Sequence, residues 1–370
     1  MRARSAKERR TAAAVLLALA LGILGAPAAA AAAVITVQVH VGADPACING
    51  TAGPRASVKV ALLTNEGRLR SSFRTRANRF GDWEGCFPSK ATFDAINGGD
   101  RIRVWSDGTG RTVKVPRLIR QIDRVADTVA GRVDPGASVE ITVTHRISPT
   151  RESVTTHVVT AGSDGRYILR LAGKVNLTGM DGIVAQTPFV PDCDPGVVCE
   201  LPPTDTFLAT AFVPFVEINF GTNRLQGWTV DAQTSFRLRS AAGELKGTAD
   251  SQPPTQGLYY ARLVNAAGNA VYPTAGDTLR SSLAPDARLV VPRSALEASA
   301  LTDTVSGRCM ARARYELFYS GGSVGGRTAD DGSFVRDLSG KVDIRRTSVL
   351  TVSCRYATGD RFTRTAQAGP

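Results

Sequence analysis

Histidine is scarce in this chain: three in 370 residues, His40, His145 and His157, far apart along the sequence. A metal centre needs donors at short, repeated spacings, and no pair of the six cysteines has the C-x2-C spacing. No metal or cofactor is therefore expected. A second long apolar run is also missing. After the N-terminal segment no stretch of about 20 apolar residues follows, so the mature chain is not expected to span a membrane. The charges form no long block, although the formal net charge is +12. A nucleic-acid site would need its bases clustered with aromatics, and that class is excluded. No convincing amphipathic helix is present. The best candidate is Leu296 to Leu301, and its copy, Val216-Glu217-Ile218-Asn219-Phe220, alternates like a strand.

The N-terminus reads as a processing segment. Arg2, Arg4, Lys7, Arg9 and Arg10 form a basic start, Thr11 to Leu24 is apolar, and Gly25-Ala26-Pro27 leads into alanines up to Ala33. This predicts a signal peptide over 1–33, cut within Ala28 to Ala33. The alternative is a short anchor that is never cut. Arg9-Arg10 raises twin-arginine export, but Thr11-Ala12-Ala13 fits that pattern poorly. The alanine run has no cysteine for lipid attachment, and the last residues have no apolar tail. A secreted, extracellular or surface-associated protein is expected. Losing the leader's five bases and one acid leaves the mature chain at +8 from +12. Such a surface suits solubility and loose attraction to anionic polymers.

What is there repeats. Glycine-x-aromatic occurs at Gly81-Asp82-Trp83, Gly165-Arg166-Tyr167, Gly257-Leu258-Tyr259 and Gly332-Ser333-Phe334, with the glycines 84, 92 and 75 residues apart. Pro54 to Val60 matches Pro135 to Ile141 at an offset of 81, and Gly98-Gly99-Asp100 matches Gly179-Met180-Asp181 at the same offset. Val115-Pro116-Arg117 recurs as Val291-Pro292-Arg293, and Asp127 to Gly131 as Asp303 to Gly307, both offset by 176. Val213-Pro214-Phe215 is the intermediate copy of the proline signal. Fixed-period self-similarity of this kind marks tandem modules.

Four modules follow: 34–119, 120–216, 217–294 and 295–370. The second carries an insertion, 187–206, rich in proline and aspartate. Each module reads as strands. Val139, Ile141 and Val143 alternate with Glu140 and Thr142, and Val58, Val60 and Leu62, and Tyr315, Leu317 and Tyr319, keep the same period of two. Short strands with frequent turns over about 80 residues describe a β-sandwich. In that frame the motif glycine allows a tight hairpin turn. The aromatic two residues on points between the sheets and fills the core. The expectation is an all-β chain of four sandwiches with four separate cores and short linkers, stacked as a semi-rigid rod.

The run Val129-Ala130-Gly131-x3-Pro135-Gly136-Ala137-Ser138-Val139, followed by Ser163-Asp164-Gly165-Arg166-Tyr167, resembles bacterial immunoglobulin-like repeats and the related carboxypeptidase-regulatory-like modules of secreted and surface proteins. The likeness is clearest in the second module and partial in the others. The third lacks the aspartate before its glycine, and the first carries it after. The resemblance implies an immunoglobulin-like fold and a role in stalks, adhesins or accessory modules. Fold alone carries no function.

An even number of cysteines behind a signal peptide points to disulfides. The repeat boundaries group them as Cys47–Cys86, Cys193–Cys199 and Cys309–Cys354. Chemistry is otherwise sparse, and no enzyme is expected. Gly321-Gly322-Ser323-Val324-Gly325 formally matches the hydrolase elbow, but every histidine precedes it, so a hairpin tip is expected. His145 and His157 flank a hairpin and can face each other. No carboxylate or cysteine stands at ligand spacing from them, so they are assigned to a strand surface, and His40 to solvent. Asp192, Asp194, Glu200 and Asp205 of the insertion offer oxygens to calcium but match no established loop, and a disulfide-pinned surface loop is expected there. Trp105 and Trp228 are the candidate ligand contacts if exposed. The expected function is a non-catalytic spacer or adhesive protein at the cell exterior, with an extracellular protein or cell-wall polymer as partner. The alternative is a binder of carbohydrate or anionic wall polymer.

Overall fold

Period-2 alternation governs the chain as expected. Ser235–Arg239 and Arg166–Arg170 both run exposed, buried, exposed, buried, exposed, the pattern of a strand with one face on a core. The computed structural model describes residues 35–42, 46–88, 95–148, 151–188, 204–230, 233–252 and 257–369. The signal peptide, the Cys193–Cys199 pair and most of the insertion lie outside them. Among the described residues there are 28 strands and no helix.

The strands fall into four runs of seven. The first run is β1 (Thr36–Val41), β2 (Cys47–Thr51), β3 (Ser57–Leu63), β4 (Leu69–Arg76), β5 (Asp82–Cys86), β6 (Arg101–Ser106) and β7 (Thr109–Lys114). The second is β8 (Arg117–Asp123), β9 (Thr128–Arg132), β10 (Ser138–Ser148), β11 (Arg151–Thr160), β12 (Arg166–Arg170), β13 (Gly182–Thr187) and β14 (Thr206–Phe212). The third is β15 (Phe215–Asn219), β16 (Arg224–Trp228), β17 (Ser235–Arg239), β18 (Leu245–Asp250), β19 (Leu258–Arg262), β20 (Thr278–Ser281) and β21 (Ala284–Val290). The fourth is β22 (Ala295–Ser299), β23 (Thr304–Arg308), β24 (Arg314–Tyr319), β25 (Gly322–Arg327), β26 (Ser333–Asp337), β27 (Val349–Arg355) and β28 (Arg361–Gln367).

In every run the first, second and fifth strands pair as one group, and the fourth, third, sixth and seventh as another. The two groups face each other over shared apolar side chains. In the third run Val216, Ile218, Leu225 and Tyr259 from one group meet Phe236, Leu238 and Leu279 from the other. Every strand ladder inside a run is antiparallel, and one isolated parallel bridge, Ser299 to Gly369, ties the first strand of the fourth run to the end of that run. The two parallel ladders join runs: β14 lies beside β1, with His40 opposite Leu208, and β28 beside β15, with Glu217 opposite Arg361. The four-stranded group of one run thus extends the three-stranded group of its predecessor into a seven-stranded sheet.

This edge pairing corrects one expectation. The buried residues form three clusters, not four. The first two runs share one, because β14 closes the gap beside β1 and brings Phe207 and Ala209 against the first run.

The four motif aromatics are core, as expected: Trp83, Tyr167, Tyr259 and Phe334 are all buried. Each motif glycine has positive φ, Gly165 at 76° for instance, and its carbonyl accepts the N–H of Ala52, Val133, Thr229 or Cys309. A second glycine completes the device. Gly50, Gly131, Gly227 and Gly307 lie directly across the ladder from the four aromatics. A Cβ on any of them would come within 2.4–2.8 Å of the ring or its hydroxyl. The ring thus lies over the bare backbone opposite. Tyr167 also donates its hydroxyl to Leu118 O, and Tyr259 to Phe215 O at 2.9 Å, tying the fifth strand to the first. Burial raises the pKa of both phenols above the usual tyrosine range.

Disulfides bond Cys47 to Cys86 and Cys309 to Cys354. The first crosses the β2–β5 ladder, and the second ties the loop after β23 to β27. Gly321-Gly322-Ser323-Val324-Gly325 lies on the β24–β25 hairpin, with Ser323 donating to Glu316 at 2.9 Å.

Candidate functional site: the joints between strand runs

Buried carboxylates occupy two kinds of place among the described residues, a turn inside a run and a joint between runs. Asp100, Asp181 and Asp277 stand immediately before β6, β13 and β20, and all are buried. Each Oδ2 accepts the N–H three residues back, from Asn97 at 2.9 Å, Thr178 at 2.7 Å and Thr274 at 2.8 Å. Each carbonyl accepts the N–H of the valine that ends the run, Val115, Val213 and Val291, at 2.8 Å. This is why Gly-Asp and Val-Pro signals travel together in the sequence. The aspartate closes the turn, the valine docks on it, and proline starts the next run. In the fourth run Ser348 takes the place, its Oγ accepting from Arg345 at 2.9 Å. Burial raises the carboxyl pKa of Asp100 and Asp181, opposed by the N–H of Asn97 and Thr178.

Buried carboxylates need cationic partners. Two come from the fourth strand of their run, Arg70 for Asp100 and Lys246 at 2.5 Å for Asp277, and one from the third strand, His145 at 2.8 Å for Asp181. The expectation for His145 is corrected here. Sequence spacing offered it no carboxylate, but β13 runs beside β10 and brings Asp181 to it. His145 lies opposite Ser153, and His157 opposite Ile141, so the two histidines do not face each other. His40 is exposed.

The second place is between runs. Arg124, in the β8–β9 turn, makes a two-pronged ion pair with Asp360 of the β27–β28 turn, at 2.8 and 2.9 Å. Their side chains are 4% and 0% exposed, so the pair is out of water. Arg124 also donates to Pro214 O at 3.0 Å, and Asp360 accepts from Val216 N–H at 2.8 Å and Thr358 Oγ1 at 2.7 Å. One ion pair therefore holds the second, third and fourth runs together. Nearby, Gly179 N–H donates to Thr358 O at 2.9 Å. Gly179 and Gly359 meet backbone to backbone, and Gly359 has φ of 84°. Arg355 of β27 reaches across to Thr178 Oγ1 at 2.8 Å and Gly179 O at 3.0 Å.

Apolar contacts reinforce the joints. Trp228 stacks edge-on against Phe212 of the preceding run at 6.1 Å. At 8% exposure it belongs to the cluster shared by the first two runs, which corrects its candidacy as a ligand platform. Trp105 is half-buried, with Lys59 and Arg103 over its ring at 5.3 and 5.5 Å. Phe362 of β28 is fully buried in the core of the third run. Asp205, one of the insertion's candidate calcium oxygens, accepts from Val37 N–H at 3.0 Å and pairs with Arg111, joining the first two runs. Among the described residues no helix is long and apolar enough to cross a membrane, and no group of three or more His, Cys, Asp or Glu converges.

No family model matches the chain, and no curated protein matches it. Similar solved structures include a tetra-tandem repeat in the extending region of a large adhesion protein, at 16% identity over 90% of this chain and 98% of that one, with a TM-score of 0.16. Another is a calcium-stabilised adhesin that helps an Antarctic bacterium reach out and bind ice, at 16% identity, 91% and 99% coverage and a TM-score of 0.17. A third is trypsin-activated alpha-2-macroglobulin from Escherichia coli, at 10% identity, 93% and 31% coverage and a TM-score of 0.18. Superpositions at these scores carry no argument about function.

Proposed function

We propose that the chain is a secreted, non-catalytic extender at the cell exterior, built of four tandem β-sandwich modules with locked joints. The observation that supports this most strongly is the Arg124–Asp360 pair, which fastens three successive runs with buried charge. A protein whose work is to transmit force or hold a distance needs such joints, because flexible linkers would let its modules swing independently. The expected divisions at 119/120 and 216/217 fall within β8 and β15. The reading therefore sets the linkers at 115–116, 213–214 and 291–294.

Pulling the full chain by its ends in an optical trap, with the disulfides reduced, tests the mechanical reading. Discrete unfolding steps are expected, each module releasing roughly 250–340 Å of contour at about 3.3–3.6 Å per residue. Smooth extension at low force, without steps, would contradict an extender role.

A further inference from the structure

The fourth strand of each run ends its sheet, with one edge bonded to the third strand and the other turned outward. Such an edge offers its backbone N–H and C=O groups to any further strand unless it is guarded. Three of the four are guarded. β4 carries Arg70, Arg74 and Arg76. β18 carries Lys246, and Thr248 is bridged to Val264. β25 has three glycines in six residues, which weaken a strand. β11 differs. It is ten residues long, and from Ser153 to Thr160 it has no acid, lysine, arginine, proline or glycine. Val154 and Val158 are exposed on it.

This edge is its own complement. Ala161 N–H donates to Ala137 O at 2.9 Å, and that pair continues the β10–β11 register. Bonding alternates along an antiparallel ladder, so Thr155, His157 and Val159 bond toward β10, while Val154, Thr156 and Val158 turn their backbone groups to the open edge. An antiparallel second β11 centred on Thr156 sets Val154 opposite Val158, Val158 opposite Val154, and Thr156 opposite itself. Glu152 then meets Thr160 and Arg151 meets Ala161, so no like charges face each other. Between these pairs Thr155 stands opposite His157. Thr155 Oγ1 and His157 Nε2 are both buried without a hydrogen-bond partner in the single chain. Pairs of this kind hold their side chains closest, and a hydroxyl and a neutral imidazole each donate or accept.

We propose that two copies of this chain pair edge to edge through β11, as a twofold antiparallel ladder centred on Thr156. Strand edges already join parts of this molecule, β14 to β1 and β28 to β15. The twofold arrangement uses the same edge on both copies, so the assembly closes at two. It sets two extenders side by side, and it does not depend on the extender reading, which concerns the joints within one chain.

Sedimentation velocity of the full chain over a range of concentrations tests the proposal. A monomer–dimer equilibrium is expected, with no larger species. Val154→Lys/Val158→Lys faces lysine with lysine twice across the ladder and should dimerise at least about tenfold more weakly. Val154→Glu/Val158→Lys faces glutamate with lysine instead and should recover most of that loss. Within one chain Val158 lies opposite Glu140 and Val154 opposite Thr144, so neither variant opposes like charges there. Both positions are exposed, and in dilute solution both variants should unfold at the temperature of the unaltered chain. A monomer at every concentration, open-ended assembly, a dimer indifferent to the paired lysines, or a glutamate–lysine variant as weak as the lysine pair would each overturn the proposal.

Discussion

Replacing Arg124 by leucine is expected to destabilise the protein by about 3–5 kcal/mol, the cost of leaving a buried charge without its partner. The stranded group is Asp360, whose side chain is wholly buried. It would retain Val216 N–H and Thr358 Oγ1, two donors of the four that now serve it. The change also leaves Pro214 O without its guanidinium donor. Adding Asp360→Leu should recover most of the loss, because an apolar pair of similar volume often replaces a buried ion pair at little cost. Urea unfolding of the two single variants and the double closes the cycle. Losses that simply add would mean the two side chains are not coupled.

Truncating Tyr259 to alanine is expected to cost about 3–5 kcal/mol, the range for a large buried aromatic. Tyr259 is 1% exposed, lies over Gly227 and donates to Phe215 O, so its removal opens a cavity and leaves a buried carbonyl unpaired. Tyr259→Phe keeps the ring and should cost only about 1–3 kcal/mol, the desolvation of the orphaned oxygen. The neighbouring Leu258, 51% exposed, is the comparison. Leu258→Ala should stay within about 0.5 kcal/mol. Thermal unfolding of the three variants reads the order, and a Leu258 effect as large as the Tyr259 effect would contradict the core assignment.

Much of the architecture was legible in the sequence because it is local and copied. Glycine-x-aromatic marks a hairpin whose turn and plug lie within three residues. The Asp127-Thr128-Val129-Ala130-Gly131 and Asp303-Thr304-Val305-Ser306-Gly307 copies mark a turn. There Asp127 and Asp303 have φ of 49°, and their carboxylates accept the N–H of Leu177 and Ile344. Gly131 and Gly307 were visible in those copies, but their purpose was not. It depends on the ring three strands along the chain and directly across the ladder.

What the sequence hid is the long-range part. Asp181 and His145 are 36 residues apart, and Arg124 and Asp360 are 236 apart. No spacing rule links such pairs, since only strand order brings them together. The parallel β1–β14 ladder was hidden for the same reason. Neither edge carries a local signal naming its partner, so four separate cores were expected where the first two runs share one.

Buried joints such as Arg124–Asp360 should hold successive runs in one fixed arrangement. Spin labels at Arg170→Cys and Ser320→Cys, both exposed, place one probe on the second run and one on the fourth. Pulsed electron–electron resonance should then return a single narrow distance distribution in the full chain, broadened by Arg124→Leu. A broad distribution in the chain with Arg124 and Asp360 intact would contradict it.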